Sequence, residues 1–282
     1  MKSVLAIIFL LSILSPSSQA QKSDWFEKVG VVSYTYRNSF SKDVALTLDT
    51  IKNLGITDIE FSNLFGKTAK EIRAMLDERG LTCSSFGVSY PDLVNKTDEV
   101  GENAKTLGAR FVRVAWIPHE GAFTIDHIMK AVADFNSAGE ALRKKFGLTF
   151  CYHNHGYEFQ PFEKGTLFDV LVAKKKKKNV SFELDILWAA HPGADPAKLM
   201  KQYGPRFKLM HLKDLRKGVK GDFSGSTDVK NDVVLGTGQI NIPAVVNALP
   251  KTAIEHLYIE DESPDASKQV PLSIEYLKKL MR

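Results

Sequence analysis

Cysteine is nearly absent: Cys83 and Cys151 are the only two in 282 residues. They allow one bridge at most, which an exported compartment would permit. Both lie inside apolar, strand-like runs, so buried free thiols are expected. Long hydrophobic runs are missing after residue 20, and no later segment can cross a hydrocarbon core that needs about 20 apolar residues. A Pro/Ser-rich linker is missing from the same stretch, which leaves one domain over residues 21–282. No Gly-x-Gly-x-x-Gly turn follows the first strand-like run, 29–34, and Gly236-Thr237-Gly238 comes too late and too isolated to replace it. That lack argues against a doubly wound dinucleotide-binding sheet. The low hydrophobicity and high charge of disordered chains are missing too, since 44% of the residues are hydrophobic and 25% charged.

The first twenty residues read as a secretory signal. Lys2 supplies a positive start, residues 4–14 an apolar run, and Ser18 and Ala20 the small residues a signal peptidase requires. The run is too short for a membrane anchor and no cysteine follows to accept a lipid. The expectation is a cleaved leader over residues 1–20, a chain starting near Gln21 that is periplasmic or secreted, and no stable membrane insertion afterwards. A net charge of +5 raises the question of nucleic acid. The only dense basic run, lysines 174–178, falls where a helix over 167–172 would end. Cations there complement the helix dipole and are expected to face water, so no nucleic-acid partner is expected.

Short β-branched and aromatic runs alternate with helix-period runs along the rest of the chain. Strands are expected at 29–34, 58–61, 82–88, 111–116, 148–153, 180–185, 207–213 and 256–260. Helical runs start near Asp43, Thr68, Lys96, Thr124, Thr166, Asp195, Ile242 and Ala266, several opened by a capping side chain. Gly55, Gly80, Gly108 and Gly147 each stand where a helix must stop before the next strand. Eight strands in strict alternation with eight helices predict an α/β fold, a single (β/α)8 TIM barrel. The irregular stretch 215–239 after the seventh strand is a candidate lid.

In such a barrel the C-terminal strand ends are where polar residues read as function. Strand five ends in Cys151-Tyr152-His153-Asn154-His155, strand six in Glu183-Leu184-Asp185, strand seven in His211-Leu212-Lys213-Asp214 and strand eight in Glu260-Asp261-Glu262. Side chains alternate along a strand, so Asp185, His211 and Glu260 can all point into the mouth, and parity does not separate Glu260 from Glu262. Burying carboxylates together is costly without a cation, and carboxylates with an imidazole suit one divalent ion: Mn2+, Co2+, Mg2+ or Zn2+. His127 and His256 read as structural.

The series Tyr152-His153-Asn154-His155-x-x-Glu158-Phe159, Asp185-x-x-Trp188 with Gly193-x-Asp195-Pro196, His211-Leu212-Lys213-Asp214, Gly236-x-Gly238-x-Ile240 and Tyr258-Ile259-Glu260-Asp261-Glu262 resembles the xylose isomerase-like TIM-barrel family, also called the sugar phosphate isomerase/epimerase superfamily. The resemblance implies one divalent ion held by Glu158, Asp185, His211 and Glu260. His153 or His155 is the alternative strand-five ligand if Glu158 cannot reach. Such an ion stabilises the enediolate left when a proton leaves the carbon beside a carbonyl. Glu158 and Glu260 on opposite faces would give isomerisation or epimerisation. Acid and base work by His153, His155 or Lys213 would instead give hydration or dehydration of a keto-sugar or 3-keto-glycoside. Trp116 and Trp188 offer flat walls for a sugar ring, and His119 and Glu262 are further candidates for substrate binding.

The expected function is therefore a metal-dependent carbohydrate isomerase or epimerase, with a lyase on the same site as the alternative. The expected partner is a small carbohydrate, and a homo-oligomer is left open. An endonuclease-like phosphodiesterase would need a further His and Glu set on strands two to four, where only Glu60 and His119 stand out. A non-catalytic carbohydrate-binding protein would not need all four carboxylate and imidazole positions that the resemblance picks out, Glu158, Asp185, His211 and Glu260.

Overall fold

The computed structural model describes residues 25–281, so the expected leader lies outside the described residues. Eight parallel strands close into a barrel: β1 Val29–Val32, β2 Asp58–Phe61, β3 Thr82–Gly87, β4 Phe111–Val114, β5 Thr149–His153, β6 Val180–Asp185, β7 Phe207–Leu212 and β8 His256–Ile259. Each pairs with its neighbours in sequence, and β8 pairs back onto β1 through Val29↔Leu257 and Gly30↔Tyr258. Outside them run α1 Val44–Asn53, α2 Ala69–Arg79, α3 Thr97–Leu107, α4 Ile125–Ala141, α5 Leu167–Lys174, α6 Pro196–Tyr203, α7 Ile242–Ala248 and α8 Ala266–Met281. This is the (β/α)8 barrel that the alternation predicts.

Local chemistry starts and stops these helices where expected. The carboxylate of Asp43 accepts the Leu46 amide at the head of α1, and the Asp195 carboxylate accepts two amides at the head of α6. Thr68 with Glu71 and Thr166 with Asp169 form reciprocal capping boxes at α2 and α5. Gly55, Gly80, Gly108 and Gly147 all have φ between +65° and +83°, a left-handed turn that side-chain-bearing residues resist.

Six strands are a residue or two shorter than their apolar runs. Five of those end early at the mouth, where the chain turns over the rim into loops. Tyr34, for example, falls in the 3-10 turn Ser33–Tyr36 rather than in β1.

The apolar interior has two compartments. The larger lies between sheet and helices, where Phe135, Phe150, Phe168, Phe182 and Phe207 are all buried. Burying each ring contributes about 2 kcal/mol. Inside the barrel, Val32, Phe111, Cys151, Leu209 and Tyr258 form a small apolar plug. Above that plug the inward side chains are charged. Cys83 and Cys151 are both buried and free, as their apolar surroundings predict.

The lysine run departs from expectation at one position. Lys174 and residues 176–178 are exposed, but Lys175 is buried. It takes an extended conformation as α5 ends, so its side chain turns inward and sets Nζ 3.6 Å from the centre of the Phe135 ring. That Nζ has no hydrogen-bond partner. Burial, helped by the Arg206 charge, pushes the amine well below the usual lysine range. An unpartnered buried amine costs stability. Lys175→Met should therefore raise the stability measured by urea unfolding by about 1–3 kcal/mol; a loss of stability would show that the contact with the ring outweighs the desolvation.

Candidate active site at the barrel mouth

Strand alternation turns Glu60 of β2, Arg113 of β4, His153 of β5, Glu183 and Asp185 of β6 and His211 of β7 into the barrel, with Glu260 just past β8. His153 Nε2 lies 3.7 Å and His211 Nδ1 3.8 Å from the same oxygen, Asp185 Oδ2. The other Asp185 oxygen accepts the Trp188 amide at 2.8 Å, but Oδ2 is buried with no hydrogen-bond partner. Glu260 Oε2 is 2.7 Å from His211 Nδ1. His153, Asp185 and His211 each present one ligand atom within 4.8 Å of the others.

A second layer orients these imidazoles. His153 Nδ1 is 3.0 Å from Glu183 Oε2, and His211 Nε2 is 2.9 Å from Glu60 Oε1. Each ring is thus held at its far nitrogen, while the near one of His153 faces Asp185 and the near one of His211 lies between Glu260 and Asp185, the arrangement that fixes the angle of imidazole ligands. Arg113 is inserted between the two supporting carboxylates, its Nε 3.0 Å from Glu60 Oε1 and 3.3 Å from Glu183 Oε2. Asn154 ties β5 to β6 by bonding both the amide and the carbonyl of Asp185.

Charge and burial set the protonation of the group. Burial pushes Asp185 up to about 7, against the pull of Lys213. Burial also pushes His153 well down. For His211 burial is overcome by Glu183, Glu260 and Glu60, which push it well up. For Glu260 burial is overcome by Lys213 and His211, which hold its carboxyl well below the usual range.

A cavity of about 580 Å³ opens above this cluster, with His153, His211 and Glu260 on its surface. Trp116 and Trp188 also line it, as do His155 and Glu262. The His155 ring stacks on Trp188 at 5.4 Å, and burial lowers its pKa to about 3, so it is neutral. Lys213 does not reach the wall. It lies beneath Glu262, with Nζ 2.6 Å from Glu262 Oε1 and 3.5 Å from Glu260 Oε2. Burial opposes its charge, but Glu260, Glu262 and Asp232 raise the ammonium well above its ordinary value, which makes it a fixed cation rather than a proton donor.

Two expected site residues are placed elsewhere. Glu158 sits in the turn Tyr157–Phe159, where its carboxylate accepts the Tyr152 hydroxyl and the His155 amide. Tyr152 alternates with the inward Cys151 and His153, so it carries Glu158 to the helix side of the sheet, away from Asp185, His211 and Glu260. The strand-five position beside Asp185 is taken by His153. His119 is not on the cavity wall: it stacks behind Trp116 at 5.0 Å, its Nδ1 2.8 Å from the Ile117 carbonyl oxygen. The motifs do not single out Arg113 or Asp232, although an arginine between Val112 and Val114 in a strand-like apolar run is a legible signal.

The Gly236-x-Gly238-x-Ile240 motif has a single partner. The Asp214 carboxylate accepts the amides of Gly236, Gly238 and Ile240 as well as that of Leu215. A Cβ at 238 would lie 2.3 Å from Asp214 Oδ1, and one at 236 would strike the Tyr276 ring. Asp214 thereby folds the stretch 215–239 over the mouth, where Ser226, Val229 and Asp232 complete the cavity.

An eight-stranded barrel with its polar cluster at the loop-bearing end is a (β/α)8-barrel protein with a site in the usual place for that fold. The chain belongs to the xylose isomerase-like TIM-barrel family, whose model matches residues 48–280. An inosose dehydratase of Lacticaseibacillus casei is 24% identical over 253 residues, which span 79% of this chain and 83% of that one. A sugar phosphate isomerase/epimerase from Parabacteroides distasonis has a similar structure, with a TM-score of 0.71, 24% identity and coverage of 93% of this chain and 98% of that one. The IolI protein, solved with a bound zinc atom, has a TM-score of 0.66 at 14% identity, covering 90% and 96%.

Two predictions follow from these placements. Burial raises the Glu158 carboxyl to about 7, against its bonds from Tyr152 and His155. The folded state therefore holds a proton that the unfolded chain releases above about pH 4.5, and the stability it contributes is lost as pH rises through 7. Glu158→Gln should flatten the stability profile between those values by roughly 3 kcal/mol in urea titrations; an unchanged profile would show that Glu158 is not protonated in the folded state. Asp214→Ala should release the loop, which limited trypsin digestion would show as cleavage after Arg216, Lys217, Lys220 or Lys230 at least about tenfold faster than in the parent.

Proposed function

We propose that the protein is a metal-dependent carbohydrate lyase that removes water from, or adds it to, a sugar beside a carbonyl. The observation that carries this reading is Asp185 Oδ2, a buried carboxylate oxygen without a partner that faces two imidazole nitrogens below a sugar-sized cavity. Around it Glu60, Glu183, Asp185, Asp232, Glu260 and Glu262 outnumber the cations that face them among the described residues, Arg113, Lys213 and the protonated His211. That surplus of buried negative charge fits a divalent ion. His153 through Nε2, Asp185, His211 through Nδ1 and Glu260 would hold it, and two imidazoles favour Zn2+, Co2+ or Mn2+ over Mg2+. When bound, such an ion supplies positive charge where an oxyanion develops as a proton leaves the neighbouring carbon.

The remaining chemistry falls to side chains on the wall. Trp188 and Trp116 offer flat apolar faces to a sugar ring. Glu262, held at 2.6 Å by the Lys213 ammonium, presents its carboxylate to the cavity. Its free oxygen can take the proton from the carbon beside the carbonyl and deliver that proton to the hydroxyl departing on the same face. One water leaves and the carboxylate is restored. Epimerisation needs a proton donor on the opposite face, and Glu158 is not there to serve. His155, three strands round the barrel from Glu262, is the residue that supports that second reading.

Arg113 is the one lysine or arginine among the described residues lining the cavity, and Glu60 and Glu183 already engage it. This favours a free or oxidised sugar over a sugar phosphate, and the acidic mouth disfavours a phosphodiester backbone. An exported setting belongs to the same proposal and agrees with that substrate class.

The test is to load the protein with Mn2+ or Zn2+ and incubate it in deuterated water with inososes, keto-sugars and 3-keto-glycosides. A product differing by one water, with about one metal per chain and at least tenfold weaker metal binding in Asp185→Asn, is the expected result. Glu262→Gln should lower turnover by about 10²–10⁴-fold with metal content unchanged. Deuterium at an inverted carbon without a change of mass by one water would favour the epimerase. A protein that retains no metal would remove the basis of both.

A further inference from the structure

A second convergence of ligand atoms lies directly beneath the first. Glu60, Glu183 and His211 each present one ligand atom within 4.8 Å of the others, and all three are buried. His211 Nε2 is 2.9 Å from Glu60 Oε1 and 3.3 Å from Glu183 Oε2. Two carboxylates and an imidazole nitrogen at this spacing are a ligand set for a divalent ion, and Glu183 Oε1 has no hydrogen-bond partner.

We propose that the Arg113 guanidinium fills the place of a second cation, so that the mouth holds one metal ion where its side chains would otherwise hold two. Arg113 Nη2 is 2.5 Å and Nε 3.0 Å from Glu60 Oε1, and Nε is 3.3 Å from Glu183 Oε2. The neighbouring strand is cut to make room for it: a Cβ on Gly87 would lie 3.0 Å from the guanidinium carbon. The planar group pairs with both carboxylates without drawing His211 Nε2 into a coordination shell. Nε2 is then left to Glu60, and Nδ1 remains for the site beside Asp185.

The inference rests on the reading of the upper site as a one-metal centre, and the two are separable by position. Parent crystals soaked in Mn2+ should show one anomalous peak, near Asp185 Oδ2, and none between Glu60 and Glu183. Arg113→Met and the more conservative Arg113→Gln should show a second peak between Glu60, Glu183 and His211, and metal per chain should rise from about one to about two. The melting temperature that each variant loses should be recovered on adding Mn2+ and not Na+, because an ion bound only by the folded state stabilises it.

A second peak in the parent overturns the inference. So does either folded variant that stays at one metal with no Mn2+-dependent recovery. If both variants fail to fold, the parent soak still decides. A missing upper peak would count against the proposed function alone, since the lower position is scored independently.

Discussion

The mouth of this barrel is organised by the cost of burying like charge. Six carboxylates from four strands or their following loops converge where water is largely excluded, and the cations that face them among the described residues are Arg113, Lys213 and the protonated His211. Each other feature of the site reduces that cost. Arg113 bridges Glu60 and Glu183 at the lower level, and Lys213 gathers Glu260, Glu262 and Asp232 at the upper one. Between the two levels one oxygen of Asp185 is left unanswered, and that gap is where the proposed divalent ion would sit.

The same economy explains the imidazoles. His153 and His211 are each gripped at one nitrogen by a carboxylate of the lower layer, so their other nitrogens are aimed before any ligand arrives. The network runs through the strands themselves, since Asn154 fastens Asp185 to β5 through its backbone. Above it, one buried carboxylate, Asp214, holds four amides of the loop that closes the mouth, which turns a glycine-rich irregular stretch into a defined wall. The site is therefore assembled from rigid strand ends, with one tethered loop as its cover.

Much of this was legible in the chain. Helix caps at Asp43, Thr68, Thr166 and Asp195 and left-handed glycines after four helices gave the element boundaries, because they are local backbone chemistry. Parity placed Asp185, His211 and Glu260 on the inward face. Glu158 shows where such reasoning stops: it lies beyond the strand, and parity has no hold on a residue in a turn. The Tyr152 hydroxyl, outward by one residue, draws it to the helix side. Lys175 is the same lesson on the outer surface, where one extended residue after a helix turned a lysine from water toward Phe135.

The amino-acid sequence by itself determined the alternation of eight strands and helices, the family resemblance and the strands that carry the polar residues. These follow from short-range periodicity and motif order. Tertiary structure decided which of those residues meet. The exchange of Glu158 for His153 beside Asp185, the insertion of Arg113 from β4 between carboxylates of β2 and β6, and the placement of Lys213 beneath rather than on the cavity wall all depend on barrel closure. Closure brings residues more than fifty positions apart within hydrogen-bonding reach, as with Glu60 and Arg113, and a one-dimensional pattern holds no record of that approach.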